Sequence, residues 1–418
     1  MPRALRILVG WELGNGLGHV GRLRPVIERL SADGHSVRVA ARYPDAAASL
    51  RSIERVDVVQ APFWTFERAS PTPASPTRAA TLADILVRGG FADDGTVFTR
   101  ALEWRTLLDR TRPDLVVTDY APALNAIARG SAPVVALGSG FSVPPPDGLY
   151  PLAPRRTALP VDASRAADRI VRAFGAAATK IGFPPPASFG RLFTGTSGLA
   201  TSSGSPEANA LPLIHPLLDP YRRWRKQPTL PPIGIPLPHP TSAEREGVFV
   251  YLPEDHPQLH RLLSVLARIR VGGAIHARPQ DAELSLDTAT WIARSGLVRL
   301  PRLAELSSML PAVKVVIHSG GLNVAHAALY ARTPQLLLPT NLEQRMTAET
   351  LHRTGKALHV PPHGAAAGSI ERALMELLER PTHRAEPIRR DPGMHTIETI
   401  MHRIGQLCET QHGDARSR

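Results

Sequence analysis

Residues 313–358 read VKVVIHSGGLNVAHAALYARTPQLLLPTNLEQRMTAETLHRTGKAL, and this stretch decides the fold. Its first part, Val313–Ile317, is a short apolar run rich in β-branched residues, which predicts a buried strand. The sequence His-Ser-Gly-Gly (318–321) follows directly, and a helical pattern covers Asn323–Arg332. A strand, a Gly-rich turn and a helix in this order point backbone N–H groups and a helix N-terminus toward an anion. The stretch therefore predicts an anion-binding turn.

The second half of the stretch repeats this alternation of strand and helix. An apolar run, Gln335–Leu338, lies between two prolines and predicts another buried strand. Glu343 and Gln344 then open a helix that Gly355 ends, as glycine often does. Ligands of open α/β sheets bind at the carboxyl ends of the strands. Polar side chains on these loops are therefore candidate ligand contacts.

A second Gly-rich turn stands near the start of the chain. Leu5–Val9 predicts a buried strand, Val20–Ala32 has the apolar spacing of a helix, and Ser36–Ala41 predicts the next strand. Between the first strand and the helix, several glycines allow a ligand to approach the backbone closely. The candidate contacts in this loop are Asn15, Gly16 and Gly18.

The C-terminal stretch resembles the donor-binding signature of inverting, family 1-type glycosyltransferases, a class that includes UDP-glycosyltransferases and macrolide and plant natural-product enzymes. His318, Gly320, Pro334, Glu343 and Gln344 stand where that signature has its histidine, its first glycine, its proline and its acid–glutamine pair. The resemblance implies the GT-B fold, an α/β architecture of two Rossmann-like α/β/α domains facing across a cleft. The candidate donor-binding residues are His318, Ser319, Gly320, Gly321, Asn323, Glu343 and Gln344.

The roles that the resemblance implies for these residues have alternatives. His318 would donate to a diphosphate oxygen, or it would only fix the loop. Glu343 and Gln344 would bind sugar hydroxyls, although an acid is also favoured at any helix N-terminus. No Asp-x-Asp motif stands beside the turn, so we expect neither a metal nor a cofactor beyond the nucleotide sugar. UDP is the default nucleotide, with dTDP and GDP as alternatives.

The sequence Gly18-His19-Val20 resembles the opening of the same superfamily, which implies that His19 is the general base for the acceptor. The resemblance also implies an orienting aspartate at the end of the strand Asp114–Asp119. Asp119 is that candidate, but it could instead cap the helix that begins near Pro122. His19 could alternatively contact a phosphate or the acceptor without proton transfer, or it could be structural.

Other GT-B enzymes share this opening and leave other functions open. The Gly-rich form resembles the GlcNAc transferase of lipid II synthesis, which uses a lipid-linked acceptor. With Arg22 close by, it also resembles the UDP-sugar hydrolases of pseudaminic acid synthesis, in which a histidine would activate water. A further alternative is a nucleotide-sugar-binding relative that has lost turnover.

The composition indicates a soluble globular protein. The 418 residues are 43% hydrophobic and 21% charged, and the single cysteine excludes an internal disulfide. The formal charge of +12 comes almost wholly from scattered arginines, which argues against a nucleic-acid partner. No apolar run is long enough to span a membrane. We therefore expect a cytoplasmic monomer or homodimer without integral membrane contact, and peripheral membrane association stays open.

The chain length suits two domains. The segment 227–240 is rich in proline, which precludes a continuous helix and suits a linker. We therefore predict an N-terminal acceptor-binding domain over residues 1–240 and a C-terminal donor-binding domain over residues 241–418. In such folds the last helix often crosses back onto the first domain, and the helical pattern of Met394–Cys408 is a candidate for that helix.

Overall fold

The structure is a computed structural model. It describes residues 3–14, 18–66, 79, 81–146, 148–151, 163–196, 209–239, 241, 244–278, 284–302, 305–361, 368–381, 388 and 391–416. The chain divides into two compact units. Unit 1 contains residues 1–216, 221–234 and 392–418, and unit 2 contains residues 217–220 and 235–391.

Each unit contains one six-stranded sheet in which all the strand pairs are parallel. The strands of unit 1 are β1 (Arg6–Trp11), β2 (Ser36–Ala41), β3 (Val56–Gln60), β4 (Leu115–Asp119), β5 (Val134–Gly138) and β6 (Ala210–Pro212). Those of unit 2 are β7 (Val248–Pro253), β8 (Gly273–Arg278), β9 (Leu297–Arg299), β10 (Val315–His318), β11 (Gln335–Leu337) and β12 (Ala357–His359).

Helices connect most of these strands, as parallel pairing requires. In chain order the α-helices are α1 (Gly18–Ala32), α2 (Leu82–Arg88), α3 (Asp94–Thr111), α4 (Pro122–Ile127), α5 (Ala163–Ile181), α6 (Leu259–Ile269), α7 (Leu286–Ser295), α8 (Leu306–Ala312), α9 (Leu322–Tyr330), α10 (Leu342–Arg353), α11 (Ser369–Glu379) and α12 (Pro392–Arg416). Among the described residues, no helix is both long and apolar enough to cross a bilayer.

The strand orders of the two sheets are equivalent. Unit 1 has the order β3-β2-β1-β4-β5-β6, and unit 2 has β12-β11-β10-β7-β8-β9, which is the same sequence of positions read from the other edge. This is the strand order of the Rossmann fold, in which ligands bind where the order reverses, beyond the first and fourth strands. The relevant strands are therefore β1 and β4 in unit 1, and β7 and β10 in unit 2.

The core of unit 1 explains why α1 and α12 belong to it. The apolar side of α1, including Leu23, Val26 and Ile27, is buried against the sheet. Ile400 and Ile404 of α12 lie in the same buried cluster, although they follow all of unit 2 in the chain. Burial of side chains of this kind contributes about 1.5–3 kcal/mol each.

The core of unit 2 lies on both faces of its sheet. Successive side chains of a strand point to opposite faces. In β7, Val250 and Leu252 join one buried cluster with α6 and α11, whereas Phe249 joins another with α8 and α9. A continuous apolar run such as Val248–Leu252 therefore fits a strand covered on both sides.

The chain forms a turn around Trp224, in which the Trp224 and Arg225 N–H groups donate to the Tyr221 carbonyl. Pro220 and Pro228 flank this segment and limit its extension. The Arg225 guanidinium donates to the carbonyls of Gly140 and Val143 in the loop after β5, so Arg225 holds that loop in place.

Candidate functional site

The candidate residues of unit 1 meet at the point where its strand order reverses. β1 pairs with β2 on one side and with β4 on the other, so the loops after β1 and β4 leave the sheet side by side. His19 lies at the start of α1, after the β1 loop, and Asp119 is the last residue of β4. Their positions 100 residues apart in sequence converge because of this strand order.

His19 and Asp119 form a hydrogen bond. Nδ1 of His19 lies 3.0 Å from Oδ2 of Asp119, whose side chain is fully buried. An ionised carboxylate only accepts, so Nδ1 carries the proton and the neutral ring has its lone pair on Nε2. Among the described residues, Nε2 has no hydrogen-bond partner, and the ring keeps 14% exposure. The geometry thus leaves one basic nitrogen for a ligand.

Arg22 is a second partner of Asp119. Its Nη1 donates to both carboxylate oxygens, at 2.8 and 2.7 Å. Burial alone would raise the pKa of Asp119, but the charges and hydrogen bonds of Arg22 and His19 outweigh it and hold that pKa below its ordinary value. Asp119 is therefore ionised at neutral pH. It does not cap α4, whose N-cap residue Ala121 makes no side-chain cap bond.

The ring of His19 is also held from its face. Trp11, the last residue of β1, stacks on it with 5.0 Å between the ring centroids and 19° between the planes. The Trp11 indole N–H donates to the Leu13 carbonyl, which fixes the stacking residue. Gly14 lies beside the open nitrogen, because a Cβ at this position would stand 2.3 Å from Nε2. The missing side chain of Gly14 therefore leaves room beside this nitrogen.

Glu12 lies in the same loop as a fully buried carboxyl group. Its Oε1 accepts from the indole N–H groups of Trp64 and Trp104, at 2.5 and 2.9 Å, and its Oε2 accepts from the Ala123 N–H at 2.9 Å. Burial nevertheless raises the pKa of Glu12 to about 7. Glu12 thus caps α4 from outside and ties the β1 loop to the helix after β4.

The Gly-rich turn of unit 2 has a different histidine geometry. His318 ends β10 with 1% exposure, and both ring nitrogens are bonded within the chain. Nδ1 accepts from the Gly320 N–H at 3.1 Å, and Nε2 donates to the Gln335 side-chain oxygen at 3.0 Å. Burial lowers the pKa of His318 to about 4, so the ring is neutral. This arrangement favours the alternative in which His318 fixes the loop over direct donation to a diphosphate.

The two glycines after His318 have distinct geometries. Gly320 has φ +96°, and a Cβ there would lie 2.9 Å from the Gln344 carbonyl oxygen. Gly321 is the exposed N-cap residue of α9, with open space around its Cβ position. No described side chain caps this helix, and half-buried Asn323 lies in its first turn. The turn therefore presents backbone N–H groups and the positive end of a helix dipole to a ligand.

The remaining candidates of unit 2 surround the start of α10. Ser319 is buried beside His318. Glu343 is exposed in the first turn of α10. The Gln344 side-chain oxygen accepts from the backbone N–H and the hydroxyl of Thr340. The backbone N–H of Gln344 donates to Oδ1 of Asn341. Asn341 thus caps α10, the Gln344 side chain holds the residue before it, and the Gln344 amide nitrogen is the group that could reach a sugar.

Some candidates lie at or beyond the limits of the described residues. Gly18 is the first residue of α1. Asn15 and Gly16 lie outside the described residues. Among the described residues, no group of three or more His, Cys, Asp and Glu side chains could hold a metal ion.

Several contacts at these positions were not foreseen from sequence. Glu12 and Gly14 carried a weak signal, since they belong to a loop recognised only by its glycines. Gln335 had a clearer one, because an amide in an otherwise apolar buried strand needs a hydrogen-bond partner. Arg22 stands three residues after His19 on α1, which places both on the same face of the helix.

Comparison with known proteins identifies relatives of part of the chain. Residues 291–394 match the family model described as the erythromycin biosynthesis protein CIII-like, C-terminal domain. A stretch of 91 residues is 32% identical to the TDP-daunosamine transferase DnrS of Streptomyces peucetius, and it covers 21% of each chain. The matched part therefore spans about a fifth of that relative's length.

Solved structures resemble nearly the whole chain. The glycotransferase of kitacinnamycin has a TM-score of 0.59 at 15% identity, covering 98% of this chain and 100% of its own. The calicheamicin glycosyltransferase CalG4 has 0.58 at 14%, covering 95% and 94%. The glycosyltransferase VinC, in complex with dTDP, has 0.53 at 17%, covering 99% of both chains. The predicted GT-B fold is thus confirmed, and the chain is similar in fold to natural-product glycosyltransferases, with residues 291–394 similar in sequence to the erythromycin biosynthesis protein CIII-like C-terminal domain.

Proposed function

We propose that the protein is an inverting glycosyltransferase that moves a sugar from a nucleoside-diphosphate donor to a hydroxyl or amine of a small-molecule acceptor. The observation that carries this proposal is the 3.0 Å bond between His19 Nδ1 and the buried Asp119 carboxylate. This bond fixes the tautomer in which Nε2 has a lone pair, which is what a general base requires. The GT-B fold and the glycosyltransferase relatives support the same reaction class.

The reaction would follow from these groups. Nε2 of His19 takes the acceptor proton while the acceptor atom bonds to the anomeric carbon of the donor sugar. The bond between that carbon and the diphosphate oxygen breaks, and its electron pair leaves with the diphosphate. Attack opposite the leaving group inverts the anomeric carbon. The N–H groups at the start of α9 would stabilise the diphosphate charge, with Gly320 and Gly321 allowing its close approach.

For the donor nucleotide, thymidine diphosphate is favoured over the default UDP. The favouring evidence is that one relative is a TDP-daunosamine transferase and that VinC was solved with dTDP. In this proposal the diphosphate is held by the turn after His318, while Glu343 and the Gln344 amide contact sugar hydroxyls. No divalent metal is part of the proposal, so a chelator is expected to leave the rate unchanged.

The experiment measures nucleotide release from TDP-, UDP- and GDP-sugars, with and without a panel of hydrophobic hydroxyl-bearing acceptors, and with or without EDTA. Transfer predicts release that requires an acceptor, with product seen by mass spectrometry. His19→Ala should abolish it, and His260→Ala, a half-exposed histidine of α6, should not. Release that is equal without acceptor would indicate a hydrolase instead. Donor binding without any release would contradict the role of His19.

A further inference from the structure

Arg22 gives Asp119 a second partner that a simple His–Asp pair does not have. Asp119 is fully buried, and it accepts from His19 Nδ1 at 3.0 Å and from Arg22 Nη1 at 2.8 and 2.7 Å. The Arg22 side chain is only 12% exposed, so solvent screens this pair weakly. The contact is therefore more buried than the Arg24–Glu28 ion pair of the same helix, whose side chains are 39% and 47% exposed.

Two opposite charges act on His19 as a result. A buried carboxylate next to a histidine favours the imidazolium form, and an imidazolium cannot accept a proton. Arg22 carries the opposite charge and bonds to the same carboxylate, so it cancels part of that effect. The uncharged ring of Trp11 and the backbone of Gly14 also lie against His19. Glu12, in the same loop, is fully buried and bonded to Trp64, Trp104 and the Ala123 N–H. Tyr43, which contacts Trp11, and Tyr120, which borders Gly14, are neutral phenols near neutral pH.

We propose that Arg22 is a positioning residue that holds Asp119 ionised and in place while partly cancelling its charge, so that His19 stays a neutral base in the working pH range. This inference rests on the proposed function for its kinetic consequence. The inference also predicts a change in the protonation of His19, which can be measured without any turnover. Arg22 itself touches no reacting atom in this scheme, because its guanidinium is directed at the carboxylate.

Two substitutions separate the charge of Arg22 from its hydrogen bond. Arg22→Gln keeps a donor for Asp119 but removes the charge, and Arg22→Lys keeps the charge. The matched control is Arg24→Gln, which removes an arginine of the same helix that pairs with Glu28 at the surface. The pH dependence of kcat/KM and the NMR titration of the His19 ring are measured for each protein.

For Arg22→Gln we expect the low-pH limb of kcat/KM to move up by about one pH unit, so that the rate on that limb falls about tenfold. The NMR titration of His19 should move in the same direction, while Arg22→Lys and Arg24→Gln stay close to wild type. A lower kcat with an unmoved limb and titration would overturn the proposal, since a merely structural role predicts that result. If no transfer is found at all, the NMR titration still decides the inference, so its failure is distinct from that of the proposed function.

Discussion

Replacing Glu12 with glutamine tests how strongly a buried carboxyl group couples the stability of unit 1 to pH. The Glu12 side chain has no exposure, and burial raises its pKa from 4.5 to about 7 although two indoles and the start of α4 donate to it. In the unfolded chain the group keeps its ordinary pKa. Between these two values the folded state binds more protons than the unfolded state.

The sign and size of the pH effect on the unfolding free energy follow from this difference in bound protons. The contribution of Glu12 is fully present below about pH 4.5, and it is lost as the pH rises to about 7. One pKa unit corresponds to 1.36 kcal/mol, so the loss in unfolding free energy is about 3 kcal/mol. Glu12→Gln removes this titration. It also places an NH₂ group against the Ala123 N–H, which costs a roughly constant amount at every pH.

Chemical denaturation followed by tryptophan fluorescence measures the effect, since Trp64 and Trp104 contact the Glu12 carboxylate. The difference in unfolding free energy between wild type and Glu12→Gln should change by about 3 kcal/mol between about pH 5 and about pH 8. Glu54→Gln is the control, because its side chain is 76% exposed. Parallel pH profiles for wild type and Glu12→Gln would refute the reasoning.

Three further outcomes are expected. Burial lowers the pKa of His318 to about 4. Its contribution to the unfolding free energy of unit 2 is therefore present above about pH 6.5 and falls by about 3 kcal/mol toward pH 4. The His318→Asn variant cannot titrate at this position, so its denaturation should lack this loss. Gly14→Ala should reduce the rate of transfer by about a hundredfold, because the new Cβ meets Nε2 of His19 and a 1 Å misplacement can have an effect of this size. Gly34→Ala is the control: Gly34 has a similar positive φ but open space around it, so this variant should keep the rate. Ile400→Ala should lower the unfolding free energy of unit 1 by about 2–5 kcal/mol in denaturant titrations, and no change would contradict the packing of α12 there.

Much of the fold could be predicted because buried parallel strands are continuous apolar runs. The bounds predicted for β2 agree with the structure, and the strand predicted over Asp114–Asp119 is β4. The short edge strands β6 and β12 were not predicted, since three residues carry too little pattern. Helix α11 was also missed, although Ile370, Leu374 and Leu377 have helical spacing and are buried.

The candidate site was harder to predict because its contacts depend on strand order. His19 and Asp119 were expected to meet only through the resemblance, whereas the structure places them together because β1 pairs with β4. The local sequence also could not show that both ring nitrogens of His318 are hydrogen-bonded within the chain. That outcome depends on Gln335, which lies on the neighbouring strand β11.

The two histidines show how one residue type acquires different properties at the points where the strand order of each sheet reverses, His19 after the first strand of its sheet and His318 at the end of the fourth. His318 is buried, hydrogen-bonded at both ring nitrogens and kept neutral by burial, so it stabilises the conformation of a turn. Among the described residues, His19 is bonded at one nitrogen, and Gly14 has no side chain that would meet the other. A base needs a nitrogen that a substrate can reach, and of these two rings His19 has the one that the described residues leave unbonded. The proposal that His19 is the base rests on this difference in hydrogen-bond partners, and it would fail if Nε2 of His19 proved unreactive toward a small acylating reagent such as diethyl pyrocarbonate.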